Sequence, residues 1–433
     1  MIWNEEREKM DRQKLRELQF ELLRAQLERA YELVPFYRQA MRQRGLRPAD
    51  IRSLEDLPLL PFTRKADFAD NYPFGLLAVP KRELVRIHAS SGTTGKPIVV
   101  AYTRRDLDSW REVCVRQLVA AGVTADDTMQ IAMGYGLFTG ALGWHGAAEL
   151  LGAMVVPISA GNTRRQIMLI QDLETTVLCA TPSYAIHIAE EAERMGVDLR
   201  ESSLRIGIHG AEPWSEGMRR EIEERCGLKA YDTYGLSEIV GPGVSAECEL
   251  QNGLHVNEDH FLVEVVDPNT GEPLPPGAQG ELVITTLTKE ALPVIRYRTG
   301  DISSLSDAPC PCGRTLARMS RVRGRTDDML IVRGVNVFPS QVEAALLQVQ
   351  GIWPQYQIIV DRQPGSMDEL EVQVELSPAA FSDEIASLRR IQEEAEQALQ
   401  EALGISARVR LVEPGTIERS TGKAKRVIDR RAT

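Results

Sequence analysis

Apolar residues recur at helical spacing through residues 12–45, where Leu15, Leu18, Leu22, Leu23, Leu27 and Leu33 stand among many charges. That pattern predicts amphipathic helices ending near Gly45. From about residue 83 to 290 the pattern changes. Short apolar runs (Met129–Met133, Met154–Ile158, Val177–Ala180, Leu204–Ile208, Lys229–Tyr231) alternate with helical stretches such as Glu216–Arg225. Such alternation predicts parallel strands with crossover helices, an α/β core. Residues 254–305 switch to β-rich sequence, FLVEVVDPNTGEPLPPGAQGELVITTL, whose Pro/Gly turns over Asp267–Gly280 predict an antiparallel unit.

A boundary falls near Arg323–Asp328, where GRTDD separates two apolar runs. Beyond it the pattern predicts a helix over about Ser340–Gln350 and strands over Gln357–Val360 and Glu369–Leu376. A charged helix over about Asp383–Leu403 and a strand over Arg408–Val412 complete a compact α+β unit of about a hundred residues. The expected organisation is therefore a large domain over residues 1–326, β-rich over about 244–322, and a small domain over 327–433.

A length of 433 residues is more than one ordinary domain needs. Lys+Arg of 51 against Asp+Glu of 62 gives −11, which argues against a broad nucleic-acid or anionic-membrane surface. The segment MIWNEEREKMDRQK has no apolar run behind it, so no signal peptide is expected. No stretch approaches the roughly 20 apolar residues that cross a bilayer. Six cysteines are too sparse for a disulfide framework, and the cytoplasm is the expected compartment.

HASSGTTGKPIVV runs from one β-like stretch into another through a loop rich in hydroxyls and glycine, Ser90, Ser91, Gly92, Thr93, Thr94, Gly95, Lys96 and Pro97. Glycines let a backbone approach a phosphate, hydroxyls and N–H groups donate to its oxygens, and Lys96 adds a point charge. It is not a Walker A loop, because Pro97 follows Lys96 and the glycine spacing differs, so P-loop kinases and ATPases are disfavoured. The loop alone says phosphate.

Further segments follow in order: IGIHGAEPW (206–214), YDTYGLSE (231–238), IRYRTGDI (295–302), GRTDDMLIVRGVNVFPSQVE (324–343) and TGKAKR (421–426). With the loop, this set resembles the adenylate-forming superfamily of acyl-CoA synthetases. HGAEPW, YGLSEIVGPGVSAEC, EDHF, TTLTKEALPVIRYRTGD and DDMLIVRGVNVFPSQVE resemble its phenylacetate-CoA ligase family in particular, from about residue 5 to the C-terminus.

The resemblance implies an acid-thiol ligase. It would activate an arylacetic acid with ATP and Mg²⁺ as an acyl-adenylate, then pass the acyl group to coenzyme A. The fold it implies is a large adenylate-forming α/β domain with mixed sheets and a small mobile α+β lid. It gives the loop 90–97, with Lys96, the leaving pyrophosphate, and Glu238 the Mg²⁺. Ser237 would reach the α-phosphate, and Tyr234, beside Asp232 and Gly235, would flank the adenine. Gly210, Ala211, Glu212 and Pro213 would pack on that ring, Asp301 would hold the ribose, and Arg325 would face the nucleotide. Lys423 would enter the site during adenylation, neutralising developing charge. Asp327 would be the hinge about which the lid rotates.

The acyl pocket is expected near YGLFTGALG, framed by Tyr135, Phe138, Gly140 and Gly143, against the alternative of plain core packing. Trp144 and His145 beside it leave open a hydroxylated or indolic ring. A benzoate- or indoleacetate-like acid, or a carrier protein as acceptor, is the runner-up. A dead nucleotide-binding module is disfavoured by the joint presence of Lys96, Glu238, Asp301 and Lys423. A homodimer is the family expectation. Cys248, His255, Cys310 and Cys312 form a separate C-x6-H and C-x-C set, open to two readings: structural zinc, or reduced thiols packed separately. Cys114, Cys179 and Cys226 read as core.

Overall fold

The computed structural model describes residues 1–90, 97–326, 330–333, 335–362, 368–377, 380, 385–420 and 424–431. Helix Arg12–Leu33 starts where Asp11 accepts hydrogen bonds from Gln13 N and Lys14 N, and it buries Leu15, Leu23, Leu27 and Ala30. Pro35, whose fixed φ suits a first helical turn, opens the helix Pro35–Gln43. Together they cover one side of the large core.

The centre is a nine-stranded sheet. Its order is Leu305–Ser306, Arg318–Met319, Leu254–Val256, Gly241–Glu247, Lys229–Leu236, Ile206–Gly210, Val177–Ala180, Thr128–Ile131 and Met154–Val156. The five strands from Met154–Val156 to Lys229–Leu236 are parallel, as the alternation of apolar runs and helices predicts. The next four are antiparallel. The sequence places the antiparallel residues in a unit of their own, but half of them extend the parallel sheet. The reason is Gly235, where an added Cβ would lie 2.0 Å from Gly241 O, so only glycine permits the tight return of the chain. A second antiparallel sheet holds Phe261–Val266, Gly280–Thr286, Tyr297–Ser303 and Gly324–Arg325. The two β-like stretches around the Ser/Thr/Gly loop pair with each other, Ser90 opposite Ile98.

Residues from Leu330 onward build their own core. Helices Pro339–Leu346 and Ile385–Leu403 pack with a sheet ordered Arg408–Val412, Glu369–Leu376, Ile352–Asp361, Val427–Asp429. Strand Ile352–Asp361 begins five residues before its expected start, because an irregularity between Ile352 and Tyr356 breaks the alternation that marks a strand. The short Val427–Asp429, hidden in a basic stretch, pairs in parallel with the same strand. Among the described residues no helix is long and apolar enough to cross a membrane.

Candidate active site

In an open parallel sheet, ligands bind beyond the carboxyl ends of the strands. Two of the singled-out motifs sit at such ends, one after Ile206–Gly210 and one closing Lys229–Leu236. Gly210 is required by the sheet itself, since a Cβ there would lie 2.4 Å from Thr233 O. Ala211 then takes φ +71°, a strained left-handed conformation for a residue with a side chain. That turn aims Glu212 away from the sheet. One of its oxygens accepts from Ser183 N at 2.7 Å, and the other accepts from Ala424 N, across the interface with the small domain, at 3.0 Å. Pro213 leads on to Trp214, whose indole N–H donates to Asp232 at 2.8 Å.

Ser237 and Glu238 follow Gly235 in the turn back to the antiparallel half. The Ser237 hydroxyl shares a hydrogen bond with Thr139 at 3.0 Å. Glu238 is buried and makes no ion pair among the described residues. Its backbone is held by a residue that sequence reasoning passed over. The Lys289 ammonium is buried, donates to Ile239 O at 2.6 Å and Glu238 O at 3.3 Å, and lies 5.1 Å from the Tyr102 ring centre. Burial brings its pKa down to about 8, against the opposing pull of Asp106 and Glu238. Lys289 lies inside the motif TTLTKEALPVIRYRTGD, between Thr288 and Glu290, where no local signal marks it as buried.

Asp301 and Arg325 sit opposite each other on paired strands. The Tyr234 hydroxyl donates to Asp301 Oδ2 at 2.7 Å and Arg325 Nη1 donates to Oδ1 at 2.9 Å, which joins three predicted site residues in one chain. Asp232 belongs to a different network. Besides Trp214, its carboxylate faces Arg321 at 3.4 Å, and its own N–H donates to Glu247. Burial and the neighbouring Glu247 charge push its pKa up. Asp232 thus supports the strand from behind, and its carboxylate is already engaged.

The Ser90 hydroxyl is buried without a hydrogen-bond partner among the described residues. Ser91, Gly92, Thr93, Thr94, Gly95, Lys96, Asp327 and Lys423 lie outside the described residues.

The stretch expected to frame an acid is only partly open. Gly143 faces Trp110 and Pro242, and an added Cβ would lie 2.6 Å from the proline, so this glycine packs a helix. Gly140, which starts that helix, meets only Met133. Phe138 is 59% exposed, and Trp144 is core. Tyr135 is half-buried; its hydroxyl meets His145 Nδ1 at 3.1 Å, and His145 Nε2 meets Glu149 at 3.1 Å.

The predicted sulfur and imidazole set converges. The ligand atoms of Cys248, His255, Cys310 and Cys312 all lie within 4.8 Å of one another. Cys114, Cys179 and Cys226 are buried elsewhere in the core.

The small domain is latched onto the large one. Arg419 donates to Glu190 of the large domain at 2.7 and 3.1 Å and to Glu375 of its own domain at 2.7 Å through two nitrogens. Ser215 N donates to Glu343 at 3.0 Å, and Gly217 lies against Leu347 so closely that a Cβ would come within 2.8 Å.

The family profile described as AMP-binding enzyme matches residues 48–288, and that of the AMP-binding enzyme C-terminal domain matches 334–431. A phenylacetate-coenzyme A ligase of Thermus thermophilus is 51% identical over 100% of both chains. One from Escherichia coli is 49% identical, over 96% of this chain and 95% of its own. Among solved structures, 2-hydroxyisobutyryl-CoA ligase in the postadenylation state matches with TM-score 0.94 at 31% identity, over 99% of this chain and 92% of that one. The same ligase in the thioesterification state, at 32% identity and equal coverage, gives only 0.73. The placement of the small domain here is that of the former.

Proposed function

Since the chain belongs to the AMP-binding enzymes and, within them, to the phenylacetate-coenzyme A ligase family, we propose that the acid it activates is phenylacetate or a substituted arylacetate. It is an AMP-forming acid-thiol ligase. The acid's carboxylate attacks the α-phosphorus of ATP and pyrophosphate departs, and the coenzyme A thiol then attacks the carbonyl of the acyl-adenylate and AMP departs. The observation that carries the choice of acid is the identity to the Thermus thermophilus ligase, which runs over both whole chains.

Charge gathers on phosphate oxygens during adenylation, so catalysis is largely positioning and electrostatic stabilisation. The loop 90–97 grips the leaving pyrophosphate, with Lys96 as its cation, and the Ser90 hydroxyl, buried without a partner among the described residues, supports that role. Glu238 suits Mg²⁺: it is a hard oxygen donor, buried, with no competing ion pair among the described residues. When bound, that ion would spread negative charge over the phosphates. Ser237, held by Thr139, faces the α-phosphate. Gly210, Ala211 and Pro213 border the adenine opposite Tyr234 and Gly235. Asp301, positioned by Tyr234 and Arg325, holds the ribose through its carboxylate oxygens.

The bond from Ala424 N to Glu212 fixes the residue after Lys423 against the nucleotide motif, which supports Lys423 as the cation that enters for adenylation. Rotation of the small domain as a lid about Asp327 then admits coenzyme A. Tyr135 and Gly140 border the acid, and the Tyr135–His145 pair favours a ring that carries a polar substituent. The Cys248, His255, Cys310 and Cys312 set stands apart from this chemistry and suits a structural zinc. The compartment is the cytoplasm, supported by six cysteines without a disulfide among them, and the assembly is a homodimer, checked by light scattering.

Pyrophosphate release measured with a panel of aryl and fatty acids, with and without coenzyme A, tests the proposal. Arylacetates should give the highest kcat/KM. Preference for a benzoate or a fatty acid would sink the arylacetate reading, and pyrophosphate with no thioester on free coenzyme A would favour a carrier protein as acceptor.

A further inference from the structure

Cys248 follows the strand Gly241–Glu247, His255 lies in Leu254–Val256, and Cys310 and Cys312 lie in the loop before Arg318–Met319. Those strands are neighbours in the antiparallel half of the large sheet, with Arg318 directly opposite His255. The Cys312 sulfur lies 3.4 Å from His255 Nε2, and the Cys248 sulfur lies 4.0 Å from that of Cys310. A tetrahedral zinc with Zn–S near 2.3 Å and Zn–N near 2.0 Å needs edges of about 3.8 Å between sulfurs and about 3.5 Å from sulfur to nitrogen. Those two edges are close to the ones such a site needs, and no pair among the four atoms is more than 4.8 Å apart.

Three surroundings point the same way. The other ring nitrogen of His255 is 3.3 Å from Leu316 O, so Nδ1 carries the proton and the Nε2 lone pair faces the sulfurs, the usual arrangement behind a zinc-bound imidazole. A Cys3His set around Zn²⁺ carries one net negative charge, and a buried Arg314 donates to the Cys312 sulfur at 3.7 Å. Arg314 in turn binds Glu8 at 2.6 Å and Met1 O at 2.7 Å, while Thr315 donates to Met10 O at 2.7 Å. None of the four ligands is a residue assigned to the nucleotide or the acid, and four protein ligands leave no open position for catalysis.

We infer that Cys248, His255, Cys310 and Cys312 form a structural zinc site that shapes the loop 307–315 and, through Arg314, holds the N-terminal segment on the sheet edge. Metal analysis of the purified full-length protein should find about one zinc per chain, falling below about 0.1 in Cys312→Ser and in His255→Ala. Should those variants fail to fold, cobalt loaded into the wild-type protein gives the second readout: intense d–d and thiolate charge-transfer bands of a tetrahedral sulfur-rich set. Removing zinc with a strong chelator should also expose the bonds on either side of Glu8–Met10 to protease. Less than about half a zinc per chain after growth with added zinc overturns the inference. So does zinc unchanged in both variants, iron in its place, or the weak bands of six-coordinate cobalt.

Discussion

Replacing Glu190 by glutamine removes one charge from the contact that fastens the two domains while keeping the side chain's size. Glu190 is fully buried, and Arg419, 11% exposed at its side chain, reaches it through two bonds of 2.7 and 3.1 Å. Glu375 belongs to the small domain and keeps its own bonds to Arg419 in any arrangement, so only the Glu190 half of the contact depends on how the domains sit. Hydrogen bonds to charged groups contribute about 1.5–3 kcal/mol, and neutral ones about half as much. A glutamine should therefore weaken the present arrangement by about 1.5 kcal/mol, close to a factor of ten in its population against a rotated one. The assay separates the half-reactions: acid-dependent pyrophosphate formation, and thioester formation from supplied acyl-adenylate and coenzyme A. Pyrophosphate formation should fall up to about tenfold and thioester formation should hold or rise. Equal loss of both, or no change in either with thermal stability intact, would refute the reasoning.

Glu212→Ala frees Ala424 N and should lower adenylation about 10- to 100-fold while sparing thioester formation, the same split as Lys423→Ala. If Lys423→Ala shows the split and Glu212→Ala does not, the clasp is irrelevant although the lysine's role stands. Lys289→Met removes the donor that holds the Glu238 and Ile239 carbonyls. It should raise the Mg²⁺ concentration needed for half-maximal pyrophosphate release severalfold, with partial rescue by Lys289→Arg; an unchanged Mg²⁺ dependence would dismiss it. His209 is fully buried next to Gly210, and burial brings its pKa from 6.5 down to about 4. The unfolded chain then binds more protons between those values, so stability is complete above pH 6.5 and falls as pH drops through the window. The loss is at most about 1.4 kcal/mol per pH unit, and urea midpoints at pH 7 and 5 should converge more closely in His209→Gln than in the wild type.

The parallel half of the large sheet was legible because each buried strand is a short apolar run between helices, and Val177–Ala180 falls where the pattern places it, as does the alternating Glu369–Leu376 of the small domain. Strand ends were less legible where backbone irregularity breaks the period, as at Ile352–Tyr356. Motifs located the strand ends that carry Gly210–Pro213 and Tyr234–Glu238 but not which side chains support them from behind. Asp232 reads like its neighbours in sequence, and only the fold shows it turned toward Trp214 and Arg321. Lys289, Thr139 and Arg419 act across 51, 98 and 229 residues of chain, contacts that no local pattern encodes. Gly143 was expected to leave room for a ligand, but the indole of Trp110 fills that room.

Glu8 meets Arg314 across 306 residues of sequence. Synthesis at roughly 5–20 residues per second separates the emergence of those two partners by about 15 to 60 s. Throughout that interval the Glu8 carboxylate has no guanidinium to receive it, and the sheet edge that Met1–Met10 covers does not yet exist. The segment can therefore dock only once residues 312–315 have been made. Closing this edge of the large domain thus waits for its earliest residues to return to a surface made by residues 312–315.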